Sequence, residues 1–115
     1  MTITRIETGP RASQAIIHNG TVYLAGQVGT LGDTVAAQTG TILGNIERLL
    51  EAAGSGKAHI LSAMIWLADI ADFEEMNAVW DAWVADVEAP ARATGESQLA
   101  APGYRVEIVI VAATA

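Results

Sequence analysis

The order of apolar and polar positions along this chain changes period several times, and each change marks an element. The runs on either side of Asn19-Gly20, in QAIIHNGTVYLAGQ, are rich in β-formers, and both turn residues tolerate the positive φ of a two-residue hairpin. From Asp33 to Gly54 the period becomes helical. Val35, Ile42, Ile46, Leu49 and Leu50 fall on one stripe, Asp33 or Thr34 can cap the start, and Gly54 suits a left-handed end. HILSAMIWLADI then reads as a strand with apolar character on both faces. Asp72 opens a second helix, with Glu75 three residues on completing an Asp version of the capping box, and Phe73, Met76, Val79, Trp80, Trp83 and Val84 form its apolar stripe. Pro90 ends that element, and ARATGESQLA and YRVEIVIVAATA close the chain as two strands. The order hairpin, α, β, α, β, β predicts an α+β fold, a mixed sheet with two helices on one face, and residues 1–115 as a single domain.

That layout leaves a face uncovered. In VEIVIVAA, Val106, Ile108, Ile110 and Ala112 point one way, while Val109, Val111 and Ala113 share the other side with Glu107. In HILSAMIWLADI, Ser62, Met64 and Trp66 lie opposite Ala63, Ile65 and Leu67. A half-solvated sheet alternates apolar and polar residues, and these strands do not. Two helices cover one face only, so the other face calls for a partner, most simply another copy of the chain.

Composition narrows the functions available. With 115 residues, 51% of them hydrophobic, the chain can bury one core. Thirteen acidic residues against six basic ones give a net charge of −7, which argues against nucleic acid and anionic membranes as partners. One well-placed arginine could still bind a small carboxylate. The absence of cysteine excludes disulfides and thiolate chemistry and fits a cytoplasmic protein. No apolar run approaches the roughly 20 residues of a membrane span, and MTITRIETGP lacks the basic start and apolar core of a signal peptide.

Several motif-like stretches carry no chemistry. GQVGTLG spaces Gly26, Gly29 and Gly32 too evenly for a pyrophosphate turn and is expected to be a mobile loop after a strand. GSGK, residues 54–57, follows a helix rather than preceding one, and Glu51 stands where a phosphate loop has its first glycine. Gly40 and Gly44 are expected to allow close packing of the first helix. His18 and His59 have no ligand partner at metal spacing, so no metal is expected. Trp66, Trp80 and Trp83 read as core or interface, and the acids of DFEEMN as a helix start favoured by the macrodipole.

Arg92 and Glu107 stand apart. Each is a lone charge in apolar strand sequence, and pattern alone leaves two readings open: site residues, or the two halves of a surface or interface ion pair.

The run PARAT…LAAPGYRVEIVIVAA resembles the RidA/YjgF family, the reactive intermediate deaminases, also labelled endoribonuclease L-PSP. GTVYLAGQVG, AAQTGTILGNIERLLEAAG and LADIADFEEMNAVWDAW extend the resemblance over nearly the whole chain, with P-A-R followed by V-E-I as its most specific part. The resemblance implies a fold like the chorismate mutase of bacilli and a homotrimer with ligand clefts between subunits. It also implies roles. Arg92 would grip a substrate carboxylate, for which a planar guanidinium fork is suited. Glu107 would position water, the backbone at Gly26-Gln27 would line the cleft, and Asn77 matches a further site position. The implied reaction is that of a 2-iminobutanoate/2-iminopropanoate deaminase. Its imine substrate is already electrophilic and needs orientation and a water, with no cofactor.

Two departures point to a divergent branch. The family's deaminases carry G-P-Y before the hairpin, where this chain has Arg11 or Ala12, and Ser-Gly-Gln where it has Ala25. Arg11 would either serve as a second anion contact or be merely exposed. Two functions follow: hydrolysis of enamine or imine intermediates of a small carboxylated metabolite, or a non-catalytic trimeric module that binds a small carboxylate. Both need Arg92, and only the first needs Glu107.

Overall fold

A computed structural model describes residues 2–115. The strands are β1 (Thr4–Thr8), β2 (Ser13–His18), β3 (Thr21–Leu24), β4 (Gln27–Val28), β5 (Ile60–Leu67), β6 (Ala91–Glu96) and β7 (Val106–Ala113). The helices are α1 (Val35–Ala52), between β4 and β5, and α2 (Phe73–Val84), between β5 and β6. The sheet runs β1-β2-β3-β7-β5-β6, with β4 also pairing β7. Every pairing is antiparallel except β5 with β6, which the α2 crossover makes parallel. This is the mixed α+β sheet that the pattern predicts. Among the described residues no helix is long and apolar enough to cross a membrane.

The hairpin forms where expected. His18 pairs with Thr21, and Asn19 and Gly20 take φ of 53° and 76°, the left-handed pair that matches the strand twist. In α1, Thr34 is the cap, its hydroxyl accepting from the Ala37 amide at 3.1 Å, and the predicted stripe is fully buried. The helix closes with Ser55 N–H on Leu50 C=O and Gly54 N–H on Glu51 C=O, the two bonds of a Schellman end.

Four expectations need correction. β1 is an edge strand that the pattern did not announce, because only Ile6 of its five residues packs towards the core. The capping box at α2 does not form. A 3₁₀ turn over Ile70–Asp72 precedes the helix, Asp72 ion-pairs with Arg105 at 2.8 Å, and Glu75 instead accepts from the Ala36 amide at 2.9 Å, capping α1. Gly40 and Gly44 are exposed, with open space where a Cβ would stand, so packing within this chain does not require them. GQVGTLG is not loop throughout: Gln27–Val28 pair with β7, and Gly26 and Gly29, though not Gly32, stand close against neighbours. A Cβ at Gly29 would stand 2.7 Å from the Gln38 Cα, and one at Gly26 only 2.9 Å from the Glu107 Cδ.

The core lies between the sheet and the helices. Val106, Ile108, Ile110 and Ala112 of β7 and Ala63, Ile65 and Leu67 of β5 are buried beneath α1 and α2. Buried Gln38 closes the end of this layer. Its amide nitrogen donates to the Asp33 and Gly103 carbonyls, and its oxygen accepts from the Arg105 amide. The opposite face of the sheet carries Ile16, Tyr23, Val111, Val109, Met64 and Trp66 in register, and none of these is buried. Tyr23 is 47% exposed, and Leu61 at the β5 bulge is 53% exposed.

Candidate functional site

Arg92 enters β6 two residues after Pro90, on the edge strand of the sheet. It pairs with Ala63, whose side chain is buried under the helices, so Arg92 also leaves the sheet on the helix side. There it meets α2. Nη1 donates to Asn77 Oδ1 at 2.7 Å, and the guanidinium carbon lies 5.7 Å from the Phe73 ring centre and 5.6 Å from that of Trp80. A hollow of about 340 Å³ at this edge is lined by Ser62, Ala63, Met64, Ala91, Arg92 and Ala93, of which Ser62, Met64, Ala91 and Ala93 project to the open face, across the sheet from the guanidinium. Among the described residues Nη1 is the one nitrogen of the Arg92 guanidinium with a hydrogen-bond partner.

Glu107 leaves β7 on the other face. It pairs with Trp66 on one side and Val28 on the other, and its carboxyl lies against Gly26. A side chain at 26 would displace that carboxyl, the flexible end of Glu107. Glu107 is half-buried and has no hydrogen-bond or ion-pair partner among the described residues.

Arg92 and Glu107 of one chain do not meet. They sit two strands apart, about 10 Å across, and three residues apart along the strands, about 10 Å more, on opposite faces. The intramolecular ion pair left open by the pattern is therefore absent. Arg11 is exposed in the β1–β2 connection, at the opposite edge of the sheet from β6. Gln27 is buried, and its amide donates to Gln14 Oε1 and the Ala25 carbonyl, both at 3.0 Å. The structure thus brings together Arg92 with Asn77, and Glu107 with Gly26, as two half-sites, with Arg11 apart from both.

One residue in the first half-site was not anticipated. Thr94 follows Arg92 by two positions on the same side of β6, and its hydroxyl is buried without a partner. A buried hydroxyl costs free energy unless it finds a hydrogen bond. Nothing in A-R-A-T distinguishes this threonine from an ordinary strand residue, so sequence offers no cue. The cradle around Arg92 was legible in principle: Phe73, Asn77 and Trp80 are spaced i, i+4, i+7 and share one face of α2. Trp80 is buried, as expected of a core residue, and Trp66 half-buried on the open face.

A larger hollow, about 450 Å³, is formed mainly by residues 96–102 with Ala68 and Tyr104, and none of the residues above lines it. Among the described residues no three His, Asp or Glu side chains gather to hold a metal ion. At the far end of α2, Lys57 bonds the Trp83 carbonyl at 2.8 Å and Asp86 at 2.9 Å. The hydrogen bond from Lys57 holds the Asp86 carboxyl below its ordinary range.

The chain as a whole is similar to known proteins. The profile of the family described as Endoribonuclease L-PSP matches residues 2–114. A RutC family protein of Haemophilus influenzae is 47% identical over 114 residues, covering 97% of this chain and 98% of that protein. A 2-iminobutanoate/2-iminopropanoate deaminase of Bos taurus is 34% identical over 107 residues, covering 87% of this chain and 77% of that protein. The crystal structure of a YjgF-family member from Neisseria meningitidis matches with a TM-score of 0.96 at 49% identity, covering 100% of this chain and 97% of that one. Family profile, near full-length identity and superposable fold agree, and the chain belongs to the RidA/YjgF family.

Proposed function

We propose that the chain acts as one domain of a cytoplasmic homotrimer that hydrolyses reactive enamine or imine intermediates of small carboxylated metabolites, of the 2-iminopropionate kind, to a keto acid and ammonia. The observation that carries this reading is the Arg92 guanidinium, its Nη1 held by Asn77 while Nε and Nη2 have no partner among the described residues. That free edge matches a carboxylate bidentately. The name of the bovine relative supports the same chemistry.

The trimer supplies what one chain lacks. Packing of the open faces covers Tyr23, Leu61 and their neighbours, and it can set the Arg92 edge of one copy against the Glu107 face of the next. In that cleft Arg92 and the Thr94 hydroxyl hold the carboxylate, the backbone at Gly26-Gln27 forms the wall, and Arg11 of the adjoining copy adds positive charge. Glu107 accepts a hydrogen bond from a water and aims its oxygen at the imine carbon. The water oxygen bonds to that carbon while its proton passes, through Glu107, to the imine nitrogen. The resulting carbinolamine then expels ammonia as its hydroxyl becomes the keto carbonyl. Orientation and one base suffice, because the C=N bond is already polarised.

A second reading, a binding module without turnover, is favoured by Ala25, which removes the hydroxyl the family's deaminases carry there. Ammonia release from an imine generated in situ by an amino-acid oxidase separates the two. The enzyme should exceed the spontaneous rate, Arg92→Ala should lower that excess roughly a hundredfold, and Arg92→Lys should recover little. Glu107→Gln should keep small-carboxylate binding while slowing turnover. Wild-type binding without acceleration would leave the binding module standing. RNA is disfavoured as a substrate by the charge of −7 per chain.

A further inference from the structure

We propose that Phe73 and Trp80, with Asn77 between them, are positioning residues. They fix the Arg92 guanidinium so that its Nε–Nη2 edge meets the ligand carboxylate in the plane of the fork. The proposal rests on the reading that Arg92 binds a carboxylate.

The cradle is a property of one helix face. Residues 73, 77 and 80 lie at i, i+4 and i+7 of α2, and Arg92 on β6 reaches across to all three. Two ring contacts at 5.7 and 5.6 Å attract the cation through the ring quadrupoles, and Asn77 Oδ1 at 2.7 Å fixes its rotation through Nη1. The rings are themselves braced. Trp80 is buried and its ring centre lies 5.5 Å from that of Trp83. Trp83 in turn sits 5.3 Å beneath the Lys57 ammonium, and its indole N–H donates to Glu47 at 2.9 Å. The column from Lys57 through Trp83 and Trp80 thus ends on Arg92.

An unrestrained arginine loses much rotamer freedom when it grips a ligand, and a cradle removes that loss in advance. With the rings alongside the guanidinium and Nη1 engaged, the remaining approach is through the Nε–Nη2 edge. That favours a planar carboxylate on a small aliphatic skeleton over a flat ring that binds by stacking on the guanidinium. Asn77 acts here through Arg92 rather than by touching the ligand.

The test is pyruvate titration, followed by isothermal calorimetry and by tryptophan emission in a Trp66→Phe background compared with Trp66→Phe/Trp80→Phe, alongside KM and kcat for ammonia release. Phe73→Leu and Asn77→Ala should each weaken pyruvate binding about tenfold, and Trp80→Phe should retain most of the affinity that Trp80→Leu loses. KM should rise with kcat nearly unchanged, because the carboxylate contact is made equally in ground and transition states. Pyruvate should shift the Trp80 emission. Phe73 is only partly buried, so its variant tests the idea even if Trp80→Leu does not fold. If Arg92→Ala abolishes pyruvate binding while Phe73→Leu and Asn77→Ala bind as the wild type does, the positioning role is wrong and the function stands. If Arg92→Ala binds pyruvate unchanged, the functional reading fails and takes the cradle with it.

Discussion

The two faces of the sheet differ in what they leave unfinished. Beneath the helices, Val106, Ile108, Ile110 and Ala112 present no polar group, and the fully buried Gln38 has its donors and acceptor engaged. On the other side of the same strand, Glu107, Val109, Val111 and Ala113 remain partly exposed, and the carboxylate has no partner among the described residues. Hydrophobicity alone does not separate the faces. The apolar core under the helices is filled within one chain, whereas the open face combines exposed apolar area with a carboxylate that has no partner among the described residues.

Neighbouring residues of β7 turn that contrast into a measurement. Ile110→Ala should lower unfolding stability by about 2–5 kcal/mol, through lost burial and the cavity left behind, read by urea denaturation. Val111→Asp should leave the fold intact but dissolve the assembly. Light scattering should fall from three times 12.0 kDa towards one. A Val111→Asp protein that keeps the wild-type mass would remove the open face as the interface and with it the shared cleft.

Sequence revealed these two faces unequally. The helix face was readable because its periods, 3.6 in α1 and 2 in β7, repeat over many residues. The open face was readable as apolar on β5 and β7, but not in its site geometry, since that depends on register. Whether Arg92 points to the helices or away from them turns on its pairing with Ala63, a parallel contact across a crossover of more than twenty residues. The alternation around P-A-R contains no such information. Glu75 shows the same limit. Local spacing assigned it to its own helix, and tertiary contact gave it to the Ala36 amide of the other. β1 was missed because one apolar position in five is no period at all.

Thr94 is the exception on the helix side, and a pair of threonines sharpens the point. Thr39 and Thr94 both bury a hydroxyl, but Thr39 donates to the Val35 carbonyl at 2.7 Å and Thr94 to nothing among the described residues. Thr94→Val should therefore leave the melting temperature unchanged or raise it, because an unsatisfied group is removed. It should at the same time weaken pyruvate binding about tenfold, the loss of one hydrogen bond. Unchanged affinity together with a raised melting temperature would make Thr94 a packing defect rather than a contact.

The outer surface of α1 is a third environment, with neither core nor charge to complete. Gly40 and Gly44 sit there in mid-helix with nothing near a would-be Cβ. Gly40→Ala and Gly44→Ala should each stabilise the protein by about 0.5–1 kcal/mol, since alanine restricts the unfolded chain more. A loss of stability or of trimer mass in either variant would mean that a second copy approaches this helix, and the division into one open and one finished face would need redrawing.

The smallest effect belongs to the exposed end of α2, where Lys57 meets Asp86 at 2.9 Å. Arg92 at the other end is held by rings and an amide, whereas Asp86 stands in solvent, so its ion pair is screened and weak. The sign of its pH dependence is nonetheless fixed. The hydrogen bond from Lys57 lowers the Asp86 pKa in the folded state below that in the unfolded chain. The folded protein therefore binds fewer protons there, and the pair contributes stability above the unfolded value, about 3.9, that is lost as pH falls through the folded one. Asp86→Asn should lower the melting temperature slightly at pH 7. The gap to wild type should begin to narrow below about pH 4 and close once the pH falls below the folded pKa, where both carry a neutral side chain, and it should also narrow in high salt at neutral pH. Lys57 keeps its bond to the Trp83 carbonyl in this variant, so pyruvate affinity should not change. A fall in affinity would show that Asp86 helps to hold the Lys57–Trp83–Trp80 column that braces Arg92.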